Sequence, residues 1–130
     1  MTTFGIRRTL GCTYDEALTR VTEALKADGF GVLTEVDVQS TLKQKLGVDF
    51  RPYKILGACN PPFAHQALLA DLEVGLMMPC NVVVYEGDDG KAVVLAIDPT
   101  KTLATTGNPK LEELAEAVKE KLSRAVEKLE

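Results

Sequence analysis

The sequence lacks any apolar run approaching the ~20 residues that cross a bilayer. Its first dozen residues, Met1 to Cys12, hold no long apolar core of the kind that directs secretion. It lacks a basic excess: 15 Lys and Arg stand against 19 Asp and Glu, and the net charge is −4. The only basic clusters are Arg7-Arg8 and Lys43/Lys45. Phosphate contacts supply most of the affinity for nucleic acid, so a chain without a basic stripe is not expected to bind it. The three cysteines are an odd number, without the spacing of a secreted disulfide framework. There is no Cys-x-x-Cys, Gly-x-Gly-x-x-Gly or P-loop motif, and His65 is the only histidine. These absences set the expectation of a cytoplasmic chain with reduced thiols, no membrane or nucleic-acid partner, and no cofactor indicated by a specific motif.

What is present is ordinary globular material. With 130 residues, 45% apolar and 26% charged, the chain has the size and composition of one domain over residues 1–130. A domain of this length buries roughly two-thirds of its unfolded surface, so it can fold without a disulfide or a metal.

The periodicities supply the elements. Thr3 to Leu10 alternates, with Phe4, Ile6, Arg8 and Leu10 on one strand face. Thr13-Tyr14-Asp15-Glu16 fits a capping box, and the stripe Ala17, Leu18, Val21, Leu25 continues as a helix that Gly29 ends. Phe30 to Val36 reads as a strand. Asp37 caps a short helix with the stripe Val38, Leu42, Leu46, closed by Gly47. Tyr53 to Ala58 is a third strand, and Asn60-Pro61-Pro62 starts a helix reaching about Leu72. Asn81 to Glu86 and Lys91 to Ile97 are strands joined through Gly87-Asp88-Asp89-Gly90, and Val82 to Tyr85 is expected to be buried on both faces. Asn108-Pro109 opens the longest helix, with the stripe Leu111, Leu114, Val118, Leu122, Ala125, Leu129. The order β-α-β-α-β-α-β-β-α predicts an α+β two-layer sandwich: a mixed sheet of about five strands with helices mainly on one face.

Two segments carry a family resemblance. Gly57-Ala58-Cys59-Asn60-Pro61-Pro62-Phe63-Ala64 and Met78-Pro79-Cys80-Asn81-Val82-Val83-Val84-Tyr85-Glu86 resemble the hallmark stretches of the domain of unknown function 302 family. Thr13 to Ala17 and Gly29 to Val32 also fit. The resemblance spans essentially the whole chain. It implies a small bacterial-type α+β domain, with a homodimer as the expected assembly. It implies no activity, substrate or catalytic residue.

The chemically unusual residues lie between Cys59 and Cys80, where the pair Cys-Asn occurs twice. One reading is a cleft for a small-molecule ligand lined by Cys59, Asn60, His65, Cys80 and Asn81, in a non-enzymatic binding or interaction domain. Asn60 has a structural task as a helix cap, whereas Asn81 has none that the sequence shows. The alternative is a zinc or copper site, or thiol-dependent redox chemistry, using Cys59, His65 and Cys80, with Met77 and Met78 as further soft donors. His65 falls on one helix face with Leu68, Leu69 and Leu72, which predicts a place on or near the buried side. The structural alternative treats both cysteines as small buried hydrophobes and His65 as a core residue. Thr105-Thr106-Gly107 before Asn108 reads as a loop and cap, and Asp98 before Pro99 as a turn residue.

Overall fold

The computed structural model describes residues 4–130, so Thr3 of the expected first strand lies outside the described residues. Five strands, β1 (Gly5–Thr9), β2 (Gly31–Asp37), β3 (Tyr53–Cys59), β4 (Cys80–Glu86) and β5 (Ala92–Ile97), form one sheet in the order β1-β5-β4-β3-β2. Four helices, α1 (Tyr14–Ala27), α2 (Val38–Leu46), α3 (Pro61–Ala70) and α4 (Pro109–Glu127), alternate with them as the pattern predicts. The protein is an α+β fold with an open sheet.

All four strand pairings are antiparallel, where the sequence suggested a mixed sheet. The reason lies in where the crossover lands. Helix α1 carries the chain from β1 to β2, and those two strands run the same way but occupy opposite edges. Strands that a β-α-β pattern would place side by side are therefore separated by three others.

One face of the sheet holds the core. Ile6, Leu56, Ala58, Val82, Val84, Ala92, Val94 and Ala96 pack beneath Ala17, Val21 and Leu25 of α1 and Val118, Leu122 and Ala125 of α4. The expected stripe of α4 is buried at every position. Thr13 caps α1 by accepting the Glu16 N–H at 3.2 Å. The return half of the capping box differs from expectation. Glu16 Oε1 accepts the Thr13 hydroxyl, and Glu16 Oε2 accepts from Arg20.

Helix α2 is bounded as expected, by Asp37 and by Gly47 at φ 68°. None of its residues is buried, and Leu46 is 68% exposed. It links two adjacent antiparallel strands and packs against β2 and β3 without burying any of its own residues. Its Val38-Leu42-Leu46 stripe therefore does not reach the core.

With α1 and α4 packed on one side, the other sheet face carries no helix from this core. Val82 and Val84 are fully buried, while Val83 and Tyr85, which alternate with them, are only half-buried. The expectation that this strand is buried on both faces thus fails within the single chain. Register places Tyr53, Ile55 and Gly57 of β3 opposite Tyr85, Val83 and Asn81 of β4, with Val93 and Leu95 alongside on β5. Tyr53 and Tyr85 stack with ring centroids 5.5 Å apart, and the Arg51 guanidinium lies 5.9 Å above the Tyr85 ring. A shallow depression lined by Tyr53, Asn81, Val83, Leu95 and Ile97 crosses this face.

Candidate functional site

The second Cys-Asn pair enters β4 directly opposite the end of β3. Cys80 pairs with Ala58, and Cys59 is the next residue along. Both thiols line one cavity between the sheet end, α3 and α4. Its other walls include Asn60, Phe63, Ala67, Met78, Leu103 and Leu114. The space within it is about 40 Å³. A water needs roughly 10–15 Å³ on this measure, and ligand pockets run to about 300–1,000 Å³. The cavity therefore takes a small ion or a few waters, not a metabolite, unless α3 moves.

Burial, aided by the neighbouring Cys59, pushes the Cys80 thiol up to about 11. That favours the neutral thiol and runs opposite to what a nucleophile requires. All three cysteines are free, and Cys12 precedes α1, away from this pair in the chain.

Asn60 stands at the N-cap of α3 but does not cap it with its side chain. Its Nδ2 instead donates to the Asp28 carbonyl at 3.4 Å, joining the start of α3 to the end of α1. The same Asp28 carboxylate accepts from Lys128 at 2.8 Å and lies 3.7 Å from Arg124. Gly29, at φ 88°, leaves room for the amide: a Cβ there would lie 3.1 Å from Asn60 Nδ2. Asn60 is thus the polar wall of the cavity and a tie between helices.

The structure does not bring all five candidate residues together. Asn81 is exposed on the open sheet face, opposite Gly57. His65 is exposed, contrary to the expected inward placement. Of the face expected to be buried with it, Leu69 (75% exposed) points outward, Leu72 (85% exposed) lies beyond the helix, and only Leu68 packs against the core. Helix α3 is apolar nearly all round, so its periodicity does not select the inner face. Small Ala67 and flat Phe63 pack inward instead, against α4. The helix also ends at Ala70, before Leu72. Asp71 then caps a 3-10 helix over Leu72–Met77 by accepting the Glu73 N–H at 2.9 Å. Among the described residues, no three His, Cys, Asp or Glu side chains meet in a metal-binding group. Cys59, His65 and Cys80 therefore do not form the expected ligand set.

One buried carboxylate lies elsewhere. Asp98 is fully buried at the end of β5. It accepts from the Thr100 backbone at 2.9 Å and the Thr100 hydroxyl at 2.6 Å, with Lys119 Nζ of α4 at 3.2 Å. Burial alone would raise its pKa, but the Thr100 hydrogen bonds and Lys119 outweigh it and hold the pKa below the ordinary 3.8. Asp98 is the turn residue expected before Pro99, with an added tie to α4 that the sequence did not reveal. Thr105 and Thr106, expected in a loop, end a 3-10 helix over Leu103–Thr106 and donate their hydroxyls to the carbonyls of Thr102 and Leu103, while Asn108 caps α4 as expected.

The family model for the domain of unknown function DUF302 matches residues 6–129. The chain belongs to the DUF302 family. A solved structure of an uncharacterized conserved DUF302 protein from Bacillus stearothermophilus is 32% identical. The match covers 99% of this chain and 100% of that one, with a TM-score of 0.90. No curated protein matches the chain. The family resemblance drawn from the two Cys-Asn segments is thereby established, and with it the fold. Among the described residues, no helix is long and apolar enough to cross a membrane.

Proposed function

We propose that the protein is a non-enzymatic interaction domain that works as a homodimer, two copies packing through their open sheet faces. The observation that carries this reading is the composition of that face. An antiparallel sheet with one solvated side normally alternates apolar-in with polar-out. Here the outward positions of the three central strands are Tyr53, Ile55, Val83, Tyr85, Val93, Leu95 and Ile97 with Asn81 at one end, and the polar Arg7, Thr9 and Thr34 lie on the two edge strands. Three central strands at ~4.8 Å spacing and about six residues at ~3.3 Å each present an apolar patch of roughly 14 by 20 Å. Such a patch, with the aromatic corner at its rim, would form the apolar centre of an interface whose standard size is ~800 Å² per partner, the polar edge strands supplying its rim. Two such faces pack at a separation of about 10 Å, as in a β-sandwich.

The reading as a binding domain rather than an enzyme is supported by the cavity. Its walls are mainly apolar, and Cys80 is held as the neutral thiol. A reducing, cytoplasmic setting suits three unpaired cysteines. Sedimentation of the full chain across a wide concentration range tests the proposal. A dimer that dissociates only on strong dilution is expected, and a monomer at every concentration would overturn it.

A further inference from the structure

The apolar surface does not stop at the edge of the open sheet face. Asn81 and Ile97 line the depression on that face, and both also line a groove of about 240 Å³ at the end of β4 and β5. The 3-10 helix over Leu72–Met77 contributes Leu76 and Met77 to the same groove. Leu76 is 90% exposed and Met77 41% exposed. At three residues per turn, Leu72 points about a third of a turn away from Leu76, and it does not line the groove. No lining residue is charged. Depletion of charge marks the centre of a protein interface. A groove without a basic residue offers nothing to the phosphates of a lipid or a nucleic acid.

We propose that this groove receives Tyr85 of a second copy, so that the dimer interface turns the end of the sheet and covers Leu76 and Met77. The proposal rests on the reading of the open face as a dimer interface. Area is the first argument. Edge strands included, the face has a flat footprint of roughly 24 by 20 Å, about 480 Å². A standard interface takes ~800 Å² from each partner. The surface around Leu76 and Met77 adjoins the face and is apolar.

Symmetry and shape select the occupant. Asn81 and Tyr85 each lie two residues from Val83 on the same face of β4. A two-fold axis across the strands at Val83 therefore sets Tyr85 of each copy over Asn81 and the groove of the other. An axis along the strands would set hollow against hollow and leave a void at that end, which close packing disfavours. Tyr85 is stacked on Tyr53 and so is held as a rigid aromatic anchor, the kind of residue that dominates interface energetics. A buried tyrosine needs a partner for its hydroxyl, and Asn81 and Thr102 line the groove. Asn81 thereby gains a task that the single chain does not give it.

The experiment measures the dimer dissociation constant of the full chain by sedimentation. Leu76→Lys and Tyr85→Glu should each weaken the dimer about tenfold or more. In the doubly substituted chain the two new charges meet across the interface, so it should dimerise more tightly than either single variant. Leu72→Lys should match the native protein. If Tyr85→Glu does not fold, Leu76→Lys against Leu72→Lys decides, because the native side chains are 90% and 85% exposed and neither change disturbs the monomer. A Leu76→Lys chain with the native dissociation constant, beside a Val83→Lys chain that is monomeric, would overturn this inference and leave the dimer reading standing. A doubly substituted chain no tighter than the weaker single variant would also overturn it. A native chain that is monomeric at every concentration would overturn both.

Discussion

Asn60 Nδ2 donates to the Asp28 carbonyl at 3.4 Å, which fastens the N-cap residue of α3 to the C-cap residue of α1. A second asparagine repeats the device. Asn108 Nδ2 donates to the Ala70 carbonyl at 3.4 Å, while its Oδ1 caps α4 at Lys110. Each helix that begins with Asn-Pro is thus tied to the end of another helix.

The two asparagines of the Cys-Asn pairs should therefore behave differently. Asn60→Ala leaves the Asp28 carbonyl short of a donor in a partly buried setting and should destabilise by about 1 kcal/mol. Asn81→Ala removes an exposed side chain and should stay within ~0.5 kcal/mol of the native protein in the monomer. Urea unfolding at low protein concentration reads both.

Asp98 gives the fold an acid sensitivity of known sign. Its pKa is lowered in the folded state, so it contributes stability above its ordinary value of 3.8. That contribution is lost as pH falls through the lower folded-state value. At neutral pH, Asp98→Asn should cost about 2–3 kcal/mol, somewhat less than removing one partner of a fully buried pair, because Lys119 can turn to water. The difference from native protein should shrink steadily below pH 4 in denaturation series. A pH-independent difference would contradict the assignment.

Cys80 provides the alkaline counterpart. Its thiol ionises near 11 when folded, against an ordinary value of 9.0. Between those values the unfolded chain has lost the proton and the folded chain retains it, so stability should decline as pH rises from about 9. At pH 8, Cys80 should react with iodoacetamide on the order of 100-fold more slowly than a free thiol. Mass spectrometry of the alkylated peptide measures the rate directly, and unfolding in urea should remove the protection.

Gly57 is required by packing rather than by backbone angle. A Cβ there would collide with the Thr34 hydroxyl and come within 2.8 Å of Pro79 Cγ. Gly57→Ala should destabilise by about 1–3 kcal/mol, as overpacking does. Retention of full stability in thermal melts would show that Thr34 and Pro79 can withdraw.

The parts of the fold that the sequence disclosed share a cause. Helix α4 is amphipathic over 19 residues, so its stripe and its buried face coincide. The Gly87 to Gly90 turn likewise announced the β4–β5 hairpin. Helix α3 is short and apolar on every side, so the side facing inward depends on α4, which arrives about forty residues later. His65 was misplaced for that reason. The open sheet face was hidden by a similar ambiguity. Val82 to Tyr85 is continuously apolar, which is what a strand covered on both sides looks like. The proposed homodimer would restore that meaning by covering Val83 and Tyr85. In the site, the neighbourhood of Cys59 and Cys80 depends on strand register, which spacing alone does not set.

The central claim is that the open sheet face pairs two copies, and a paired-variant sedimentation experiment tests it most directly. Val83→Lys places a charge at the middle of that face, while Leu72→Lys places one on the exposed flank after α3, where the native side chain is 85% exposed. Burying an unpaired charge in an interface costs several kcal/mol. Val83→Lys should therefore sediment as a folded monomer at concentrations where the native protein and Leu72→Lys are dimers. A Val83→Lys protein that remains dimeric, or a Leu72→Lys protein that alone dissociates, would contradict the account.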